Sequence, residues 1–251
     1  MSALNISIQG TGKPVVFLHG FLESSTMWKY LQFPKHLIQC IYIDIPGHGT
    51  SSTLIDDSPS ITSLARTIHD NLYSRGIDRF DLVGHSMGGY VALEIARIVK
   101  FSPKVLLLNS NFWEDSIEKK QNRDRVISII KKNKNLFIQE AIPGLFIRPN
   151  KHKSEIESLI SEAKNLSEEG ITYASLAMRN RPDLTHFAKS IANTLVCIQG
   201  EKDAIVTEQE MQIKTANLIP FITIPNAGHM SHIEASRVVE KTITDLLLDK
   251  L

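Results

Sequence analysis

Cysteine is scarce in this chain. Only Cys40 and Cys197 occur among its 251 residues. Each sits inside an apolar, β-branched run (Cys40-Ile-Tyr-Ile and Leu-Val-Cys197-Ile), which reads as two buried small hydrophobes rather than a disulfide framework or a reactive pair. An excess of charge is missing too. Lys and Arg number 28 against 27 acidic residues, for a net charge of +1, so nucleic acid and anionic membrane surfaces have no electrostatic claim as partners. No apolar run is long enough to span a bilayer, and the start MSALNISIQG has neither the basic nor the apolar region of a leader. The expectation is a soluble protein of the reducing cytoplasm, monomeric or homodimeric. No histidine pair has zinc-ligand spacing with a matching carboxylate, which speaks against a metal site. Internal repeats and low-complexity segments are also lacking.

What the chain does contain is a regular alternation. With 42% hydrophobic and 22% charged residues, it can bury a sizeable core. Short apolar runs recur with turn residues behind them: Pro14–Leu18, Cys40–Ile45, Phe80–Val83, Lys104–Leu108, Thr194–Ile198 and Phe221–Ile224. Runs this short and this apolar suit strands buried on both faces. Helical spacing fills the intervals Ile61–Leu72, Met87–Val99, Glu208–Leu218 and Val238–Leu248. The pattern predicts an α/β fold, a mainly parallel sheet of about seven or eight strands with helices on both faces. Leu4–Ile8 reads as an antiparallel edge strand, and Gly10-Thr-Gly12-Lys13 as a hairpin turn joining it to the next.

One interval breaks the rhythm. Residues 112–189 carry amphipathic helical patches such as Arg125–Ile130 and Glu155–Ala163 but little strand signal. So long an insert is not a plain loop. It reads as a mildly basic helical cap, or lid, on a core domain made of residues 1–111 and 190–251. The pairs Lys119-Lys120 and Lys131-Lys132 read as solvated helix faces.

The stretch Gly84-His85-Ser86-Met87-Gly88-Gly89 joins an apolar strand to an apolar helix. It fits the G-x-S-x-G nucleophile elbow, in which a serine is held in strained backbone over the carboxyl end of the sheet. Side chains two positions either side of it would collide with strand and helix, and glycine removes the collision. A hydroxyl attacks poorly without a base, and the base needs an orienting carboxylate. Asp203 follows strand Thr194–Ile198, and His229 follows strand Phe221–Ile224, so both can converge on Ser86. Asp115 is the alternative acid, further beyond its strand, where Asn109 and Asn111 are not acids. His232, at the start of the next helix, reads as a surface or helix-start residue, and His19 as a brace for the loop that follows it.

These stretches, with His19-Gly20-Phe21 and Asp44-Ile45-Pro46-Gly47-His48-Gly49, resemble the α/β-hydrolase fold family along the whole chain outside the insert. The resemblance implies a Ser86–His229–Asp203 triad and an oxyanion hole formed by the backbone N–H groups of Met87 and Phe21. It implies hydrolysis of a small, fairly apolar carboxylic ester through an acyl-enzyme, with no cofactor. His85 is expected as a wall of the substrate pocket, and Phe112, Trp113, Phe137 and Phe146 as candidate lining beneath the lid. Similar sequences include lactonases, thioesterases, carbon–carbon bond hydrolases, a cofactor-free lyase of menaquinone synthesis and a few ligand-binding receptors. The triad alone does not separate these.

Overall fold

The structure, a computed structural model, describes residues 4–54 and 58–250. Seven strands form one sheet: β1 (Ile6–Gln9), β2 (Lys13–Leu18), β3 (Ile38–Ile43), β4 (Asp81–His85), β5 (Val105–Leu108), β6 (Leu195–Gly200) and β7 (Phe221–Ile224). Their spatial order is β1-β3-β2-β4-β5-β6-β7. All neighbours are parallel except β1, which runs antiparallel to β3 at the edge. The helices are α1 (Ile61–Ser74), α2 (Met87–Ile98), α3 (Ile117–Ala141), α4 (Lys153–Lys164), α5 (Glu168–Arg179), α6 (Thr185–Ser190), α7 (Glu208–Thr215), α8 (Ser231–Glu234) and α9 (Ser236–Leu247).

The two-residue period of a strand sorts the core into two layers. Val16 and Leu18 of β2 join Leu82, Val105 and Leu107 on the face covered by α1 and α2. Val15 and Phe17 point the other way, with Val83, Leu106 and Leu108, against Trp28 and Val239, Ile243 and Leu247 of α9. Cys40 and Cys197 are free and buried in these layers. A third cluster gathers Ile130, Ile138, Ile156, Leu159 and Ile171 from α3–α5 around Leu22 and Met230. Helix α3 breaks at Asn133 (φ −159°, ψ 80°). The side-chain oxygen of that residue accepts the N–H of Leu136 at 3.1 Å and restarts the helix.

Three local expectations are corrected. β3 lies between β1 and β2, so Gly10–Lys13 is not a hairpin turn between paired strands. It instead runs against the segment before β3, with the N–H groups of Thr11 and Lys13 donating to the carbonyls of Lys35 and Leu37 at 2.9 and 2.8 Å. The helix expected to reach Leu218 stops at Thr215 because Ala216 and Asn217 turn left-handed, at φ 47° and 58°. β3 ends at Ile43 rather than Ile45, since Asp44 turns its carboxylate onto the N–H groups of Ser25 and Thr50.

The Gly10–Lys13 crossing yields a test. A Cβ on Gly12 would lie 2.0 Å from the carbonyl carbon of Leu37, whereas one on Gly144 meets nothing within 4 Å. Gly12→Ala should destabilise by about 1–3 kcal/mol or more, as overpacking against rigid backbone does. Gly144→Ala should be close to neutral in the same urea titration. Equal midpoints for the two variants would contradict the crossing.

Candidate active site

The carboxyl ends of β2, β4, β5, β6 and β7 open on one rim. Hydrogen bonds extend the parallel ladder beyond the strands: Ser86 N–H to Leu108 O at 3.0 Å, Asn109 N–H to Ile198 O at 2.8 Å, and Glu201 N–H to Ile224 O at 3.0 Å. Ser86 therefore leaves the sheet at a fixed point. Its backbone stands at φ 50°, ψ −115°, directly before the first turn of α2, a conformation that L-residues rarely adopt. The glycines make it attainable. A Cβ on Gly84 would fall 2.4 Å from the Gly88 carbonyl oxygen, and one on Gly88 2.3 Å from that of Leu18. Ser110 Oγ donates to the Ser86 carbonyl at 2.6 Å and holds the turn from the side.

The three residues singled out from the sequence meet here. His229 Nε2 lies 2.9 Å from Ser86 Oγ, and His229 Nδ1 lies 2.9 Å from Asp203 Oδ2. A carboxylate can only accept, so the imidazole proton sits on Nδ1 and leaves the Nε2 lone pair facing the serine hydroxyl. Asp203 is buried, 4% exposed. Burial alone would raise its carboxyl, but the His229 imidazole and donors from Asn109 and the Ile205 backbone hold it at about 2. Asn109 Nδ2 donates to Asp203 Oδ2 at 2.9 Å and to the Gly228 carbonyl at 3.0 Å, and Gln199 Nε2 donates to the same carboxylate at 2.6 Å. The loops carrying Asp203 and His229 run so close that a Cβ on Gly200 would meet the Gly228 carbonyl oxygen at 2.2 Å.

Asp115, the alternative acid, is engaged elsewhere. Its carboxylate pairs with Arg123 at 2.9 Å and Arg181 at 2.7 Å. His19 donates from Nδ1 to the Gly20 carbonyl at 2.8 Å and accepts the Ile45 N–H at Nε2. His232 corrects the expectation of a surface residue: it is 0% exposed, because α8 turns it inward toward Trp28, Tyr30 and His85.

A cavity of about 150 Å³ opens over Ser86, with Phe21, Tyr90, Arg123, Phe137, Met178 and Met230 in its wall. His85 also borders it, by a ring that points away from the serine toward Glu23. Phe112 and Trp113 pack edge to face with each other behind Tyr90, in the layer beside α1 and α2. Phe146 belongs to the cluster of α3–α5. Phe21 follows the Gly20 loop on one side of the cavity, and Met87 begins α2 directly after the serine. Glu23, Asn109, Gln199 and Glu234 were not singled out from the sequence. Glu234 accepts the N–H of Gly228 at 2.7 Å and that of Ile147 at 2.8 Å, tying the loop that carries His229 to the segment between α3 and α4. Among the described residues no group of three or more His, Cys, Asp or Glu side chains could hold a metal ion, and no helix is long and apolar enough to cross a membrane.

The model of the alpha/beta hydrolase family matches residues 15–241, and the chain belongs to that family. The 2-succinyl-6-hydroxy-2,4-cyclohexadiene-1-carboxylate synthase of Citrobacter koseri is 26% identical over 251 residues, covering 94% of each chain. A thermophilic esterase from Thermogutta terrifontis, solved with malate bound, superposes with a TM-score of 0.90 at 30% identity, over 99% of this chain and 94% of that one. The enol-lactonase of Burkholderia xenovorans LB400 shares the fold at a TM-score of 0.86 and 20% identity, over 98% and 97% of the two chains.

The buried acids set an expected pH dependence of stability. Asp203 and Glu23 are held at about 2 in the folded chain, below their ordinary values of 3.8 and 4.5. The unfolded chain therefore takes up these protons first, so the stabilisation is complete above about pH 5 and is lost as pH falls through roughly 4.5 toward 2. Thermal melts should show Tm dropping across that window, with a shallower slope in Asp203→Asn. A Tm independent of pH there would contradict the assignment.

Proposed function

We propose that this chain is a serine hydrolase that cleaves a small carboxylic ester, with Ser86 as nucleophile, His229 as base and Asp203 as its orienting acid. The observation that carries this reading is the continuous Ser86–His229–Asp203 relay, with both contacts at 2.9 Å. In the first step Ser86 Oγ bonds to the ester carbonyl carbon while His229 Nε2 takes its proton. The oxyanion would develop between the N–H groups of Met87 and Phe21, each such donor contributing a few kcal/mol of barrier lowering. The positive end of α2 lies beneath it and favours the same charge. Collapse expels the alcohol, which receives the proton from His229 and leaves an acyl group on Ser86. Water deprotonated by His229 then releases the acid and restores the hydroxyl. Asp203 holds the ring orientation and stabilises the imidazolium formed in each half. These steps call for no cofactor.

In this reading residues 112–189 act as a cap. Arg123 and Phe137 of α3 and Met178 of α5 contribute to the cavity over Ser86, so the insert would select the substrate. The esterase from Thermogutta terrifontis supports ester chemistry as the first choice.

One observation favours a second reading, a same-triad lyase acting on an anionic substrate; the Citrobacter relative is named as the synthase of a carboxylate. Arg123 borders the cavity and shares the single carboxylate of Asp115 with Arg181. One positive charge is left over on that wall.

A panel of p-nitrophenyl esters of increasing acyl length tests both readings. Short neutral esters should be turned over repeatedly, and Ser86→Ala should lower kcat/KM by about 10,000-fold or more. Ester release unaffected by Ser86→Ala would overturn the hydrolase. No neutral-ester turnover, with cleavage only of esters bearing a carboxylate in the acyl chain and loss of it in Arg123→Gln, would move the reading to the anionic substrate.

A further inference from the structure

A second buried group of ionisable residues lies behind the triad, and the steps above do not use it. Glu23 and His85 are 5% and 1% exposed. Glu23 Oε2 accepts the N–H of Gly20 at 2.7 Å and lies 2.9 Å from His85 Nδ1. The opposite ring nitrogen, His85 Nε2, lies 3.0 Å from the backbone carbonyl oxygen of His229. One side-chain pair thus touches the main chain on both sides of the cavity: the loop bearing Phe21 and the residue read as the base. His85 is also the last residue of β4, bonded directly to Ser86.

Geometry and electrostatics both favour an ion pair here. Burial alone would raise the Glu23 carboxyl, but the charge and hydrogen bond of His85 hold it at about 2. Burial alone would lower His85, and the same carboxylate raises it above the ordinary value. A carbonyl and a carboxylate both only accept, so the ring carries a proton on each nitrogen and donates in both directions. The groups facing it fit one cation. His232, with Nε2 3.8 Å from Glu23 Oε1 and its ring 4.9 Å from that of His85, is pushed down to about 3 by burial and by His85, and is neutral. Among the described residues Asp203, His229, His19 and His48 are further titratable neighbours, and burial pushes His48 down to about 3.

We propose that Glu23 and His85 are positioning residues for the Ser86 reaction: the carboxylate fixes the Gly20–Phe21 loop, the imidazolium fixes the main chain of His229, and together they hold oxyanion donor and base at a set separation. The inference rests on the hydrolase reading given above. Two further observations support it. Leu22, between the loop and Glu23, stands at φ 64°, a strained conformation for a bulky side chain that persists only when its surroundings impose it. Gly20 has no room for a side chain, since a Cβ there would lie 2.3 Å from Glu23 Oε2 and 2.8 Å from His85 Nδ1. A buried ion pair adds little stability over an apolar pair of equal volume, so the gain from this one lies in orientation.

Glu23→Gln in the full chain is the direct test, because it keeps the shape and removes the charge. Its His85 ring should be neutral with one N–H: an amide oxygen placed toward Gly20 leaves the His229 carbonyl without its donor, and an amide NH2 turned to Nδ1 leaves the Gly20 N–H without its acceptor. With p-nitrophenyl acetate the variant should retain a KM within about twofold of wild type and lose kcat by about 10- to 100-fold, the scale of a misplaced reacting group. A folded variant with unchanged kcat would overturn the proposal. ¹⁵N NMR of the histidine rings in the wild-type chain near neutral pH needs no variant to fold: His85 should show both nitrogens protonated, and a single-proton tautomer would also overturn it. If the wild-type chain turns over no ester, the hydrolase reading fails and the NMR arm decides the ion pair alone.

Discussion

The constraint on which the rest of the structure depends is the backbone turn at Ser86. A residue at φ 50° and ψ −115° is unfavourable by itself, and it persists because β4, α2 and the end of β2 close on it from three sides. Gly84 and Gly88 are the points where those elements touch backbone to backbone. The same compression that strains the serine lifts its hydroxyl clear of the sheet, toward a cavity rather than into the core. Packing and prospective chemistry are therefore one arrangement.

Parallel topology supplies the other partners. The strands β2–β7 all point one way, so their carboxyl ends lie on the same rim, and residues 86, 203 and 229 become neighbours despite the chain between them. The rim is stiffened by a dense set of polar contacts. Asp203 accepts from His229, Asn109, Gln199 and two backbone N–H groups. Asn109 itself stands at φ 48°, a left-handed position that asparagine tolerates better than most residues. Its side chain bonds both Asp203 and the loop that carries His229, which fixes the position of the imidazole.

The legible parts were those written in local punctuation. Glycine-flanked Ser86, the aspartate after β6 and the histidine after β7 each follow an apolar run within a few residues, so strand ends and site residues could be read together. What depended on distant contacts was not legible. Glu23 looks like an ordinary loop acid, and its place comes from His85, 62 residues away. His232 resembled a solvated helix start, yet α8 folds it under Trp28 and Tyr30. The Gly10–Lys13 turn was misread because insertion of β3 between β1 and β2 is a property of the whole sheet. The aromatic residues Phe112, Trp113 and Phe146 could not be sorted from Phe137 by sequence, since all four are apolar and only the path of α3–α6 decides which face the cavity.

The central claim is that the Ser86 oxygen is an activated nucleophile. Intact mass and peptide mapping after treatment with a fluorophosphonate test it most directly, because the reagent bonds covalently to such an oxygen and to few others. The account predicts about one adduct per chain, located on Ser86 and lost in His229→Ala. An unmodified chain, or an adduct on another residue with Ser86 free, would contradict it.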